Sequence, residues 1–152
     1  MASIRRELRI HRPARLVWPL IGDPGRIEEW FPGMVDCTVE QTDDGVSRTV
    51  TLGTGMTLVE QIITNDPIAH RFQYRITGGV FTEHLGTVDL IDLGDDTCLG
   101  VYSTDAVPDV MALVIGGATG DALRNIRDLV EGTPQDVAGS MTSSPPTPEV
   151  TR

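Results

Sequence analysis

The sequence predicts an α+β domain in which a seven-stranded, curved antiparallel sheet wraps a long C-terminal helix. Three observations predict it. The chain opens on an alternating amphipathic run followed by two short proline-bounded helical segments. Six strand-like runs then follow at short spacing. After Pro108, one apolar stripe with helical period extends from Met111 to Leu129.

Residues 3–11 alternate Ile4, Leu8 and Ile10 against Arg5, Glu7 and Arg9, the period of a half-buried strand, with Arg6 interrupting the apolar side. Pro13 opens a helix containing Leu16, Val17, Leu20 and Ile21. Pro19 lies inside it and removes a backbone donor, so this helix must be short or bent. Asp23-Pro24 reads as an N-cap with proline at the first helical position. Ile27 to Trp30 continue this second helix, and Pro32-Gly33 ends it.

The strand-like runs cover about 35–42, 46–52, 56–64, 70–77, 82–92 and 97–106. Their separators are Asp43-Asp44-Gly45, Gly53-Thr54-Gly55, Asn65-Asp66-Pro67, Gly78-Gly79 and Gly94-Asp95-Asp96. Parallel neighbours need crossovers of a dozen or more residues, so these runs form an antiparallel meander, and the first strand can join its end.

The helix after Pro108 runs to about Glu131, where Gly132-Thr133-Pro134 stops it. Met111, Ile115, Ala118, Ala122, Ile126 and Leu129 make its stripe, with Asp121, Arg124 and Asp128 to one side. Gly116, Gly117 and Gly120 cost about 1 kcal/mol each relative to alanine, and a wheel places them mostly behind the stripe. They are expected either to permit a bend or local opening, or to allow close contact with another segment or subunit, which leaves a homodimer open. Residues 3–132 therefore form one domain, and the Ser/Thr/Pro-rich segment 133–152 is expected to be a disordered tail. A single sheet must cover one face, and two short helices cannot cover seven strands, so the long helix must cross the concave side.

The chain has 152 residues, 39% hydrophobic and 22% charged, with a net charge of −10. That charge repels phosphate backbones and anionic lipid heads, so nucleic acid is not an expected partner. No apolar run approaches the ~20 residues of a membrane span, and charges occupy the N-terminal positions where a signal peptide is apolar. Cys37 and Cys98 are expected to be small packing residues in a reducing, cytoplasmic setting.

The order of elements resembles the START-like (SRPBCC) superfamily, the helix-grip fold, and most closely its polyketide cyclase/dehydrase branch. The residues carrying the resemblance are Pro13 to Trp18, Asp23-Pro24 with Trp30-Phe31-Pro32-Gly33, Glu60, Asp66-Pro67, Arg71-Phe72-Gln73-Tyr74-Arg75 and Leu85 to Leu90. The chain departs from the pattern at Pro19 and in the glycine-rich part of the last helix. The resemblance implies an internal cavity, but the superfamily holds cyclases, dehydratases and lipid carriers, so it assigns no reaction.

Within that frame, Trp30, Phe31 and Met34 lie in the helix-to-strand connection, where large apolar groups cap a core or line a ligand entrance. Trp18 is expected in the core. Phe72, Tyr74 and Ile76 share the strand face directed at the long helix. Tyr74 places there a hydroxyl that needs a partner. His84 shares parity with Gly86, Val88 and Leu90, and an inward imidazole suits hydrogen bonding or proton transfer. Met56, Val88, Val101, Met111 and Ile115 complete the expected ligand-binding set, with His84 and Tyr74 as the catalytic candidates. Glu60 shares a face with Leu58 and Ile62, and Asp105 with Leu99, Val101 and Ser103. An inward carboxylate would have a raised pKa unless paired. No metal site is expected, because His11, His70, His84 and the cysteines lack ligand spacing, and no cofactor motif is present: Gly116 to Gly120 sits inside a helix with no strand leading into it.

The expected function is binding of a small polyketide-, aromatic- or lipid-like molecule in an internal cavity. The alternatives are a cyclase/dehydratase-type enzyme acting on such a ligand, and an interaction module that binds no small molecule.

Overall fold

The computed structural model describes residues 1–132, so the tail expected over 133–152 lies outside the described residues. The elements are β1 (Ala2–Ile10), α1 (Ala14–Ile21), a 3-10 helix (Pro24–Glu29), β2 (Met34–Thr42), β3 (Gly45–Leu52), β4 (Thr57–Asp66), β5 (Arg71–Ile76), β6 (Glu83–Asp92), β7 (Cys98–Val107) and α2 (Asp109–Glu131). The seven strands form one antiparallel sheet in the order β1-β7-β6-β5-β4-β3-β2, a meander closed by β1 pairing with β7. This is the helix-grip architecture.

Local chemistry sets the boundaries. Pro13 caps α1, which stays at eight residues with Pro19 inside it. Asp23 accepts from the Gly25 N–H and starts the next turn with Pro24 at its first positions. Trp18 is buried, and its indole lies against Gly22. Cys98 is buried and Cys37 half-buried, both as free thiols.

Alternation divides each strand cleanly. On β5 to β7 the inward set is Phe72, Tyr74 and Ile76; His84, Gly86, Val88 and Leu90; and Cys98, Gly100, Tyr102, Thr104 and Ala106, all buried. Val101 and Asp105 therefore lie on the outer face. Val101 lines a shallow outer groove with Arg5, Glu7 and Leu99. This corrects the sequence expectation for Val101, which holds the parity opposite to Tyr102.

Helix α2 is rotated by about one position from the expected stripe. Its buried residues are Ala112, Gly116, Thr119, Gly120, Ala122, Leu123 and Ile126, whereas Leu129 is exposed and Met111, Ile115 and Ala118 are only partly covered. The glycines explain the rotation. A Cβ on Gly116 would stand 2.6 Å from Ile4 Cγ2, and Gly120 sits over the aliphatic stem of Arg6. The missing side chain at Gly116 lets α2 lie directly on β1, a close approach that no larger residue permits there, whereas a Cβ on Gly120 would make only ordinary contact at 3.7 Å. Thus the glycines do not interrupt the helix, which runs unbroken from Asp109 to Glu131.

Candidate functional site

Helix α2 lies closest to β1 and β7. Beneath its C-terminal half, the space is filled by side chains. Trp30, Phe31 and Tyr102 make three mutual edge-on contacts with ring centroids 6.2–6.3 Å apart. Trp30 Nε1–H donates to the Leu20 carbonyl at 3.2 Å, and the Asn125 amide donates to the Trp30 carbonyl at 3.0 Å. Trp30 is thereby a core residue, and the hollow expected from sequence is closed at this end. Elsewhere, Met34, Leu58, Phe81 and Ile115 are only partly buried where they pack against the core. Met111 is likewise half-covered. Met56 lies just before β4 and is exposed at the hairpin.

The β3–β6 part of the concave face carries a polar cluster. Arg48 and Glu60 are register partners on β3 and β4, and both are almost fully buried. Arg48 Nε donates to Glu60 Oε2 at 2.7 Å, and Nη1 donates to the Pro24 carbonyl at 3.1 Å. The guanidinium lies 5.2 Å from the ring centroids of both Phe72 and Tyr74, within cation–π range. Burial pushes the Glu60 pKa up, and the Arg48 charge and hydrogen bond oppose that rise. Tyr74 and Tyr102 share a 2.6 Å hydroxyl–hydroxyl bond. Gly86, the register partner of Tyr74, makes it possible, because a Cβ there would stand 2.4 Å from the tyrosine ring. Both phenols are fully enclosed and their pKa values are raised, chiefly by burial.

His84 occupies a seam. The β5–β6 ladder stops at Tyr74 and Gly86, and the Ile76 N–H donates instead to His84 Nδ1 at 3.1 Å. The imidazole sits between Tyr74, at 5.4 Å, and Phe81, edge-on at 5.0 Å. Its pKa is lowered from 6.5 to about 4 by burial, with nearby Asp105 opposing and Arg75 adding to the effect. The ring is therefore neutral near pH 7. Because Nδ1 accepts a backbone proton, the ring proton is assigned to Nε2. On the outer side of the seam lies a groove of about 440 Å³ lined by Arg75, Glu83, His84, Leu85 and Asp105. Among the described residues, His84 Nε2, Arg48 Nη2 and Thr104 Oγ1 are buried without a hydrogen-bond partner. Such orphaned polar atoms cost about 1–3 kcal/mol each.

Phe72, Tyr74, His84 and Val88 are buried on the inner face of the sheet, Phe31, Met34 and Ile115 are partly buried against the core, and Met111 is half-covered. Of the two carboxylates considered, Glu60 is inward and Asp105 outward. Sequence reasoning missed Arg48, Phe81, Tyr102 and Thr104. Arg48 carried a signal: it shares the strand face of Val46 and Val50, and the hairpin around Gly53–Gly55 sets it opposite Glu60. Among the described residues, no group of three or more His, Cys, Asp or Glu could hold a metal ion, and no helix is long and apolar enough to cross a membrane.

Residues 1–131 match the family model described as polyketide cyclase / dehydrase and lipid transport. No curated protein matches the chain significantly. Among solved structures, a Thermobifida fusca protein is 26% identical with a TM-score of 0.72, over 87% of this chain and 95% of that one. The Zhui aromatase/cyclase of a Streptomyces species is 16% identical with a TM-score of 0.76, over 91% and 98% of the two chains. Norcoclaurine synthase from Thalictrum flavum, solved with dopamine and hydroxybenzaldehyde, is 20% identical with a TM-score of 0.70, over 88% of each chain. The last two similarities are ones of fold.

Proposed function

Because the chain belongs to the polyketide cyclase/dehydrase and lipid transport family, we propose that it binds a small, mainly apolar molecule between the N-terminal half of α2 and the β3–β6 part of the sheet. The observation that carries this reading is that Met34, Leu58, Phe81 and Ile115 stay only partly buried where they pack against the core. Apolar side chains that still touch solvent gain from a guest, at about 25 cal/mol per Å² removed from water. The guest would lie against the layer of Phe72, Tyr74, His84 and Val88, reached by displacement of these side chains. Free thiols at Cys37 and Cys98 suit a reducing, cytoplasmic setting for such a protein.

A cyclase/dehydratase-type enzyme is the second reading, favoured by the buried hydroxyl pair of Tyr74 and Tyr102 beside His84. Binding is the better supported of the two. His84 has its only basic nitrogen bonded to a backbone N–H, the tyrosine hydroxyls are held by each other, and Glu60 is held by Arg48. None of these is a free base near pH 7.

Native mass spectrometry of protein purified from its own host tests the proposal. A small molecule that stays bound under native conditions and leaves on denaturation is the expected result. Mass equal to the bare chain in every preparation, together with no uptake of apolar probes, would count against it. If the protein is an enzyme, His84→Ala should abolish turnover while binding persists. In a carrier only affinity changes.

A further inference from the structure

Resting on the binding reading above, we propose that His84 selects the chemistry of the guest: its Nε2–H, on a ring packed edge-on against Phe81, donates to a neutral carbonyl-type oxygen on an otherwise apolar molecule. Three observations lead there. The Ile76 N–H holds His84 Nδ1 as an acceptor, so the ring presents Nε2 as a donor. That nitrogen is buried and has no partner among the described residues, on a side chain only 2% exposed. Finally, the group lying edge-on to the ring at 5.0 Å is Phe81, which is itself only partly buried.

Phe81 is placed to be displaced. The segment between β5 and β6 is pinned at its ends by Thr77 N–H to the Val59 carbonyl and Thr82 N–H to the Val107 carbonyl. Between those pins, Gly78 and Gly79 have positive φ, and Val80 is exposed. The ladder between β5 and β6 does not reach this far, so rotating residues 78–81 breaks no ladder bond. Once Phe81 moves off the ring, a guest oxygen that accepts from the orphaned donor returns part of the cost of opening.

The site favours a neutral acceptor. A carboxylate would lose its hydration facing an uncharged imidazole, and the Arg48 charge is already paired with Glu60. A carbonyl oxygen has two lone pairs. Thr104, one inward position along the neighbouring strand from the His84 register partner Ala106, supplies an unpartnered hydroxyl as a second donor on the same face.

Two measurements test the assignment. Long-range ¹H–¹⁵N spectra of the ligand-free protein should show His84 protonated at Nε2 alone near pH 7; protonation at Nδ1 overturns the proposal. Fluorenone and fluorene share one apolar frame and differ by a carbonyl. The wild type should bind fluorenone roughly tenfold or more tighter than fluorene. His84→Phe should lose that preference while keeping fluorene binding, and His84→Gln, which retains a donor, should recover part of it. Equal binding of the two probes by the wild type, or an undiminished preference in His84→Phe, overturns this assignment alone. Binding of neither probe overturns the binding reading and the assignment with it. Phe81→Ala should let water reach the ring and raise the His84 pKa from about 4 toward 6.5; an unchanged value removes Phe81 as the group a guest displaces.

Discussion

Arg48 and Glu60 face each other across the β3–β4 hairpin and bury a 2.7 Å ion pair beneath the rings of Phe72 and Tyr74. Removing one partner leaves an uncompensated charge in the interior. Glu60→Leu should therefore destabilise the fold by about 3–5 kcal/mol. The double replacement Arg48→Met with Glu60→Leu should cost much less, because no charge is stranded. Denaturant unfolding measures both. A single-variant loss within 1 kcal/mol of wild type would mean that water reaches the pair.

Stability should fall as acid reaches His84. Its folded pKa is about 4 against an ordinary value of 6.5, so the folded state resists protonation. A lowered folded pKa gives a contribution fully present above pH 6.5 and lost as the pH falls toward 4. A shift of that size corresponds to about 3 kcal/mol. Glu60 works in the opposite sense, since its raised pKa favours the folded state when the carboxyl is protonated. Urea unfolding of wild type and His84→Gln across pH 4 to 6.5 should converge in acid. Parallel curves across that range would show that His84 titrates normally.

Adjacent glycines in α2 should respond oppositely to alanine. Gly117 has open space where a Cβ would go, so Gly117→Ala should gain up to about 1 kcal/mol from helix propensity. At Gly116 the new methyl would meet Ile4 Cγ2 at 2.6 Å, and Gly116→Ala should lose about 1–3 kcal/mol as α2 lifts from β1. Thermal unfolding of the pair decides the matter: similar melting temperatures would mean that α2 does not seat on β1 through this glycine.

Gly86→Ala tests the tyrosine pair. Its Cβ would stand 2.4 Å from the Tyr74 ring, which must then leave its position and break the bond to Tyr102. The expected loss is about 2 kcal/mol or more, with a changed near-ultraviolet dichroism signal. Tyr74→Phe keeps the ring and removes only the hydroxyl, so it should cost about 1 kcal/mol. If the two variants lose equal stability, the ring does not depend on the bare glycine.

Most of the fold and part of the site were legible in the residues. Alternation in β5 and β6 turned Phe72, Tyr74, His84 and Val88 inward, because period-two patterning needs nothing beyond the local chain. The same rule, applied consistently, also turns Val101 outward. Arg48 escaped notice because an inward arginine contradicts composition alone and makes sense only beside its register partner Glu60. Phe81 and Thr104 were invisible for a different reason, since their significance comes from what they pack against or leave unpaired.

The sequence by itself determined the strand order, the antiparallel pairing and the single long helix, since turn lengths and hydrophobic period are local properties. Only the tertiary structure decided which side of α2 faces the sheet, how far the bowl is filled by Trp30, Phe31 and Tyr102, and which nitrogen of His84 is left free. Those outcomes depend on contacts between residues distant in the chain, where a missing Cβ or one backbone N–H sets the geometry, and no local pattern records them.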